Sequence, residues 1–492
     1  MGPCCRALFA CAFACGGCQQ LLGLDTPTLQ PVVTGHYHQL YATNSMTFTP
    51  MVVDRTFTAD ELAIAVTLDD GTQPEVAYDA SDGTFSFPLA TAGQRYRLAL
   101  TAGDVTGTYE LGSPSPHLVT HAAGRSDVTR VTQPTPLDFS FGTFDSVATP
   151  VVATTGLWTF TAAGPGTTGD FTFDWQAASI LPGSGPVSLL DAAQNDHVYV
   201  EMWEYDPSNE YARIAGVGDA AVTLTDGGTM TVNGTLSSIA PSSCAHFVGT
   251  DLEDLARLEV ADPGSYTSPS SQTAICQAPS TELLGNIGCQ PLTSEVNTNQ
   301  TGDVDVEQTF ANPFPASEFQ GIHYDGEVVT IASPSGSVGV PVGMGQYIPV
   351  DITNPDCETN YVMVHSTVGL PGSITLAGTA LAADQTPIAI GPDGVTASWT
   401  TTVTGPVDFW NVQLFALPTS GNAGSELIAT VTTDQTSAGL AADLFEQGHA
   451  YVLVVSALLG NPDAAQGDFD TLVPPFEYAA IPSHSFTVTV SP

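Results

Sequence analysis

Val395-Thr396-Ala397-Ser398-Trp399 is the run that decides the fold. Its apolar side chains recur at every second position, so Val395, Ala397 and Trp399 share one face of a strand. Phe409-Trp410-Asn411-Val412-Gln413-Leu414 follows, and then Phe445-x-x-Gly448-x-x-Tyr451-Val452-Leu453-Val454-Val455. Earlier in the chain, Leu62, Ile64, Val66 and Leu68 alternate with Ala63, Ala65 and Thr67 before the turn Asp69-Asp70-Gly71. Thr84-Phe85-Ser86-Phe87 comes after the turn Asp82-Gly83, and Tyr96, Leu98 and Leu100 alternate beyond it. Trp158, Phe160, Phe171, Phe173 and Trp175 continue the pattern. Apolar spacing at i, i+3, i+4 and i+7 is sustained nowhere, so the expected fold is all-β.

The order of Trp399, Phe445, Gly448 and Tyr451 across residues 370–492 resembles the fibronectin type III pattern. That family carries a core Trp in its second strand and a Leu/Phe…Gly…Tyr corner entering the sixth. The resemblance implies a β-sandwich and no particular activity. Asp79-x-x-Asp82-Gly-Thr-Phe-Ser-Phe-Pro, followed by Tyr96-Arg-Leu, resembles the small prealbumin-like sandwiches of bacterial surface proteins. The expected architecture is therefore a tandem of Ig/fibronectin-like sandwiches after a signal peptide and a short tether.

The expected boundaries follow from composition. Residues 1–17 are a signal peptide, and 18–35 are a lipidated Cys and its tether. Residues 36–111 are the first sandwich, and 112–136 a linker marked by Pro114, Pro116, Pro134 and Pro136. Residues 137–239 are a second sandwich, ending in a hairpin of 222–224 with 230–232 turned at Asp226-Gly227-Gly228. Residues 240–367 are loop-rich, with a short helix over 251–258 capped by Thr250. Residues 370–492 close the chain.

Arg6 precedes an apolar run over 7–14, far too short to span a bilayer. Cys15-Gly16-Gly17-Cys18 then resembles the bacterial lipoprotein signal, with Cys15 where the family usually has Leu. The resemblance implies that Cys18 is diacylated and becomes the new N-terminus. Gln19 after it implies passage to the outer membrane or cell surface.

Charged residues are only 12% of the chain, and the net charge is −43. The imbalance comes from missing bases: all eight are Arg and there is no Lys. Schiff-base chemistry, a pyridoxal phosphate anchor and biotin or lipoyl attachment are excluded. A Walker A loop and a kinase strand lysine are excluded too. Nucleic acid is not expected as a partner, because its binding scales with phosphates neutralised by Lys and Arg. Residues 18–136 carry 12 acids and 5 Arg, whereas 137–492 carry 39 and 2. With Cys18 as the anchor, the part farthest along the chain is thus the most anionic.

Cys244, Cys276, Cys289 and Cys357 lie outside the signal and read as two disulfides. Of three connectivities, Cys276–Cys289 with Cys244–Cys357 is favoured. In Asp196–Asp206, Tyr199, Glu201, Trp203 and Tyr205 would share a strand face, aromatic rings around a carboxylate. Such a face suits a glycan, or else belongs to a core ladder. Asp303, Asp305 and Glu307 also share a face, but strand neighbours nearly 7 Å apart are too wide for one calcium ion. His36 and His38 would point two imidazoles to one side. No H-E-x-x-H or G-x-S-x-G motif occurs, and neither a metal nor a cofactor nor a catalytic residue is expected. The functional expectation is a membrane-anchored, non-enzymatic envelope lipoprotein with a structural, adhesive or ligand-binding role toward a glycan or protein. A surface hydrolase, its carboxylate or metal site assembled from loops, is the alternative.

Overall fold

The structure is a computed structural model. It describes residues 30–490 apart from 45–49, 56, 103–104, 124–128, 144–150, 155–158, 163–167, 178–186, 195, 207–210, 250–269, 279–289, 299–303, 315–319, 329–330, 334–335, 339–342, 382–386, 418–424 and 470. The fold is all-β: strands alternate with turns and short 3-10 segments, and no α-helix occurs among the described residues. No helix there is long and apolar enough to cross a membrane.

In the first unit, alternation along Leu62–Leu68 buries Leu62, Val66 and Leu68 on one face. That strand pairs antiparallel with Tyr96–Ala102, which pairs with Val105–Leu111. The facing sheet is built on Val32–Asn44, flanked by Pro50–Arg55, Thr84–Pro88 and, in parallel, His117–Ala123. Tyr37, Phe85, Phe87, Tyr96 and Leu98 fill the space between the sheets. Part of the expected 112–136 linker is therefore a strand of this sandwich. The apolar positions Leu118 and Val119 are what commit it.

The second unit packs Pro136–Thr143, Thr168–Asp174 and Met230–Asn233 against a sheet containing His197–Asp206 and Tyr211–Ala221. The expected 222–232 hairpin does not form. Its turn does, with Gly228 N–H donating to the Thr225 carbonyl and Gly227 left-handed at φ 72°. Met230–Asn233 instead runs parallel to Pro136–Thr143, and Leu224 N–H donates to the Leu190 carbonyl. Asp226 explains the difference: its carboxylate accepts from the N–H groups of Thr132 and Gln133, pinning the turn to another segment. In the third unit Ser243–Gly249 lies between Val304–Phe310 and Tyr361–Val364, facing Ser270–Ala278 and Gly343–Val350. The short helix expected over 251–258 lies outside the described residues.

The fourth unit is a two-sheet sandwich. One sheet has Leu370–Leu376, Val395–Val403 and Ser437–Leu440; the other has Glu426–Thr433, Phe409–Ala416, Ala450–Leu459 and Phe476–Pro482. Trp399 and Trp410 meet in the core with ring centroids 5.7 Å apart. The Tyr451 hydroxyl accepts from Glu446 N–H at 2.7 Å, the corner bond expected of a fibronectin-like sandwich.

The units are not strung in chain order. Val105–Leu111 of the first unit pairs in parallel with Glu426–Thr433 of the fourth, and Phe409 and Phe469 enter the first unit's core. Gly343–Val350 of the third pairs with Phe476–Pro482. The fourth unit thus stands beside the first.

Candidate functional site

The seam between the first and fourth units encloses a cleft of about 1080 Å3. Its walls come from Leu68-Asp69-Asp70-Gly71 and Arg95–Arg97 on one side, and Asp393–Val395 and Ser437–Leu440 on the other. Alternation along Tyr96–Ala102 explains the polar wall. Tyr96, Leu98 and Leu100 turn into the core, so Arg97 turns outward. The Arg97 guanidinium donates to Glu110 Oε1 at 2.7 Å, and the same oxygen accepts from Gly439 N–H at 2.9 Å. Arg95 donates to Asp434 at 2.6 Å and to the Glu110 carbonyl. A Cβ at position 439 would meet the Arg97 guanidinium, so a side chain there would have to push that guanidinium aside. The cleft presents hydroxyls, backbone and carboxylates with its cations already paired, a lining suited to a hydrogen-bonding, uncharged ligand. At its rim, hydrogen bonds from Thr72 hold the Asp70 carboxyl below the usual carboxylate range.

Tyr199, Glu201, Trp203 and Tyr205 do not form an open face. Tyr199 is 8% exposed and packs edge-on to Phe314, with ring centroids 4.9 Å apart. Glu201 is 1% exposed and accepts the Trp203 indole N–H at 3.1 Å. Trp203 is half-buried, and only Tyr205, at 61%, is open to solvent. The cause is a second core. Val198 and Val200 face the core of the second unit, while Tyr199 and Trp203 face that of the third, so the strand has no solvent side there. The register also shifts between Met202 and Trp203, which breaks strict alternation.

Cys244 and Cys357 form a disulfide, with Cα atoms 4.9 Å apart. Cys276 is disulfide-bonded as well, while Cys289 and Cys18 lie outside the described residues. Asp305 is engaged by His246 at 2.7 Å, and Asp303 lies outside the described residues. Arg95, Arg97 and Glu110 were not singled out by the sequence. Asp434 and Gly439, which Arg95 and Glu110 engage across the seam, stand more than three hundred residues away, and the only local signal was two arginines in a chain with eight.

No family model matches the chain, and no curated protein matches it. Among solved structures, the FN1–FN3 domains of chicken CNTN1 are 8% identical, covering 92% of this chain and 100% of that one at a TM-score of 0.14. Titin domains A168–A170 are 9% identical, covering 94% and 100% at 0.16. Three N-terminal domains of the bacteriophage RB49 outer capsid protein Hoc are 10% identical, covering 92% and 100% at 0.15. Likeness at this level carries no argument about what the chain binds or does.

Proposed function

We propose that the protein is an exported envelope protein, anchored through lipids on Cys18, with a structural, adhesive or ligand-binding role. One observation supports export above others: the Cys244–Cys357 disulfide, which joins the core strand Ser243–Gly249 to a turn across a separation of 113 residues. Such bonds persist in oxidising compartments and are kept reduced in a cytoplasm. The lipid anchor rests on the sequence Cys15-Gly16-Gly17-Cys18. A ligand, on this reading a glycan or a protein loop, would be met in the cleft between the first and fourth units. Its hydroxyl and backbone lining suits neutral hydrogen-bonding groups.

Cell fractionation with mass spectrometry of the mature N-terminus tests the anchor. An acylated N-terminal Cys18 is expected, and Cys18→Ser should move the protein to the soluble fraction. A Cys18→Ser protein that stays with the membrane sinks the anchor, and free Cys244 and Cys357 thiols in unreduced protein would sink export.

A further inference from the structure

In the third unit, Val304–Phe310, Ser243–Gly249 and Tyr361–Val364 form one sheet in that order, so Tyr361–Val364 is its edge. No other strand among the described residues pairs with it. Its hydrogen-bonding phase is set just before it begins, where His246 N–H donates to the Asn360 carbonyl at 3.0 Å. His246 is in parallel register with Tyr361, and Val248 with Met363. In a parallel ladder successive residues turn their main-chain groups to opposite sides. Asn360, Val362 and Val364 therefore pair inward, and the N–H and C=O groups of Tyr361 and Met363 face the open edge. The side chains alternate too. Val362 enters the core, whereas Tyr361 and Met363 stand 47% and 60% exposed on the outer face. The His246 ring meets Tyr361 edge-on, with centroids 5.2 Å apart, and props it in place. Soluble proteins ordinarily blunt an apolar edge with Lys, Pro or a bulge. This strand has no Lys, no Pro and no register shift.

The surroundings are anionic. Residues 240–367 carry 16 acids and one Arg. Exposed Glu358 lies just before the edge strand. Asp305 and Glu307, also exposed, stand two strands in, about 10 Å from Met363 and Tyr361. A second copy of this chain, at a net charge of −43, is repelled by that field, and a cationic segment is drawn to it. We propose that Tyr361–Val364 is a docking edge for a partner protein, which adds an extended segment as a fourth strand, apolar at alternate positions and flanked by Lys or Arg. The incoming main chain pairs with the N–H and C=O groups of Tyr361 and Met363. Its apolar side chains lie against the Tyr361 ring and the Met363 thioether, and its flanking cations meet Glu358 and the field of the carboxylates behind. The edge shares no residue with the cleft between the first and fourth units.

Fluorescence anisotropy with the full chain and a labelled, end-blocked peptide of alternating Val and Thr with Arg at both ends tests the edge. Binding is expected, weakening as salt rises. The same peptide N-methylated at every Val and Thr keeps its charge and side chains but loses its main-chain donors, and should bind at least about 10-fold more weakly. Met363→Pro removes an edge N–H and sets a ring on the open side. Pro is tolerated where an edge N–H faces solvent, so Tm should hold while affinity for the first peptide falls about 10-fold or more. Hydrogen exchange should slow over residues 361–364 when that peptide is bound. No binding at about 1 mM peptide, or undiminished binding either of the N-methylated peptide or by the Met363→Pro chain, overturns the proposal. Concentration-dependent dimerisation of the chain alone, abolished by Met363→Pro, gives the edge to a second copy and overturns it too. The N-methylated comparison uses the wild-type chain, so it decides even where Met363→Pro fails to fold.

Discussion

The second and third units are joined differently from the first and fourth. Between the second and third lies one shared wall, the hairpin of His197–Asp206 and Tyr211–Ala221, with an apolar core on each side. Between the first and fourth lies a seam of one strand pair three residues long, the rings of Phe409 and Phe469, and a few charged hydrogen bonds, and it leaves a cleft. A shared wall buries side chains on both of its faces. The seam, apolar at Phe409 and Phe469 but polar around Glu110, keeps solvent within reach of groups that can meet a ligand. Function is therefore sought at the seam, and cooperativity at the wall.

The largest effect that would test this contrast is loss of the Cys244–Cys357 disulfide. A loop of about a hundred residues is worth about 4–5 kcal/mol in the chain-entropy model. Reduction or Cys244→Ser is expected to unfold the third unit and take the second with it. Hydrogen exchange by mass spectrometry should find first-unit protection intact; persistence of the second unit alone would break the shared-wall account. Next comes Ile214→Ala. This side chain is fully buried in the third unit's core on the strand that also walls the second, and the expected loss is about 2–5 kcal/mol. Denaturant melts followed by fluorescence of Trp175, in the second unit's core, should shift with it.

Glu110→Gln probes the seam. Losing the charged partner of Arg97 and Gly439 N–H is expected to destabilise by about 1–3 kcal/mol, with loosening confined to residues 105–111 and 426–440. Equal loosening of the second unit would erase the distinction. The smallest effect is at Asp226. Hydrogen bonds from the Thr132 hydroxyl, then from the Thr132 and Gln133 amides, lower its carboxyl below the unfolded value. The stability this gives is fully present above the unfolded pKa, near 3.8, and is lost as pH falls through the folded value. Tm of Asp226→Asn should fall less than that of wild type between pH 5 and pH 2, and a parallel decline would remove Asp226 from the account.

How much of this was legible in the sequence depended on whether a segment meets one core or two. Leu62–Leu68 and Val395–Val403 have a single core side, so period-two alternation gave both their conformation and their facing. The Trp399 and Tyr451 positions were legible for the same reason, since the corner bond closes between residues five apart. His197–Asp206 defeated the rule because a strand between two cores has no polar face to reveal which rings are open. The 222–232 turn was legible in its Asp-Gly chemistry, yet its strands paired elsewhere, because a turn type does not choose between neighbours distant in sequence. His117 followed Pro116 in what read as a proline linker, and only the parallel strand pairing brings it to His36.

Parallel pairing of Val105–Leu111 with Glu426–Thr433 also sets how the molecule bears load. Tension applied between residue 30 and residue 490 enters the first unit and leaves through the fourth. The ladder between them is the shortest mechanical route. The second and third units lie off that route, the third held to the fourth by the pairing of Gly343–Val350 with Phe476–Pro482. While the ladder holds, these units carry no force, and when it shears they become its reserve of length.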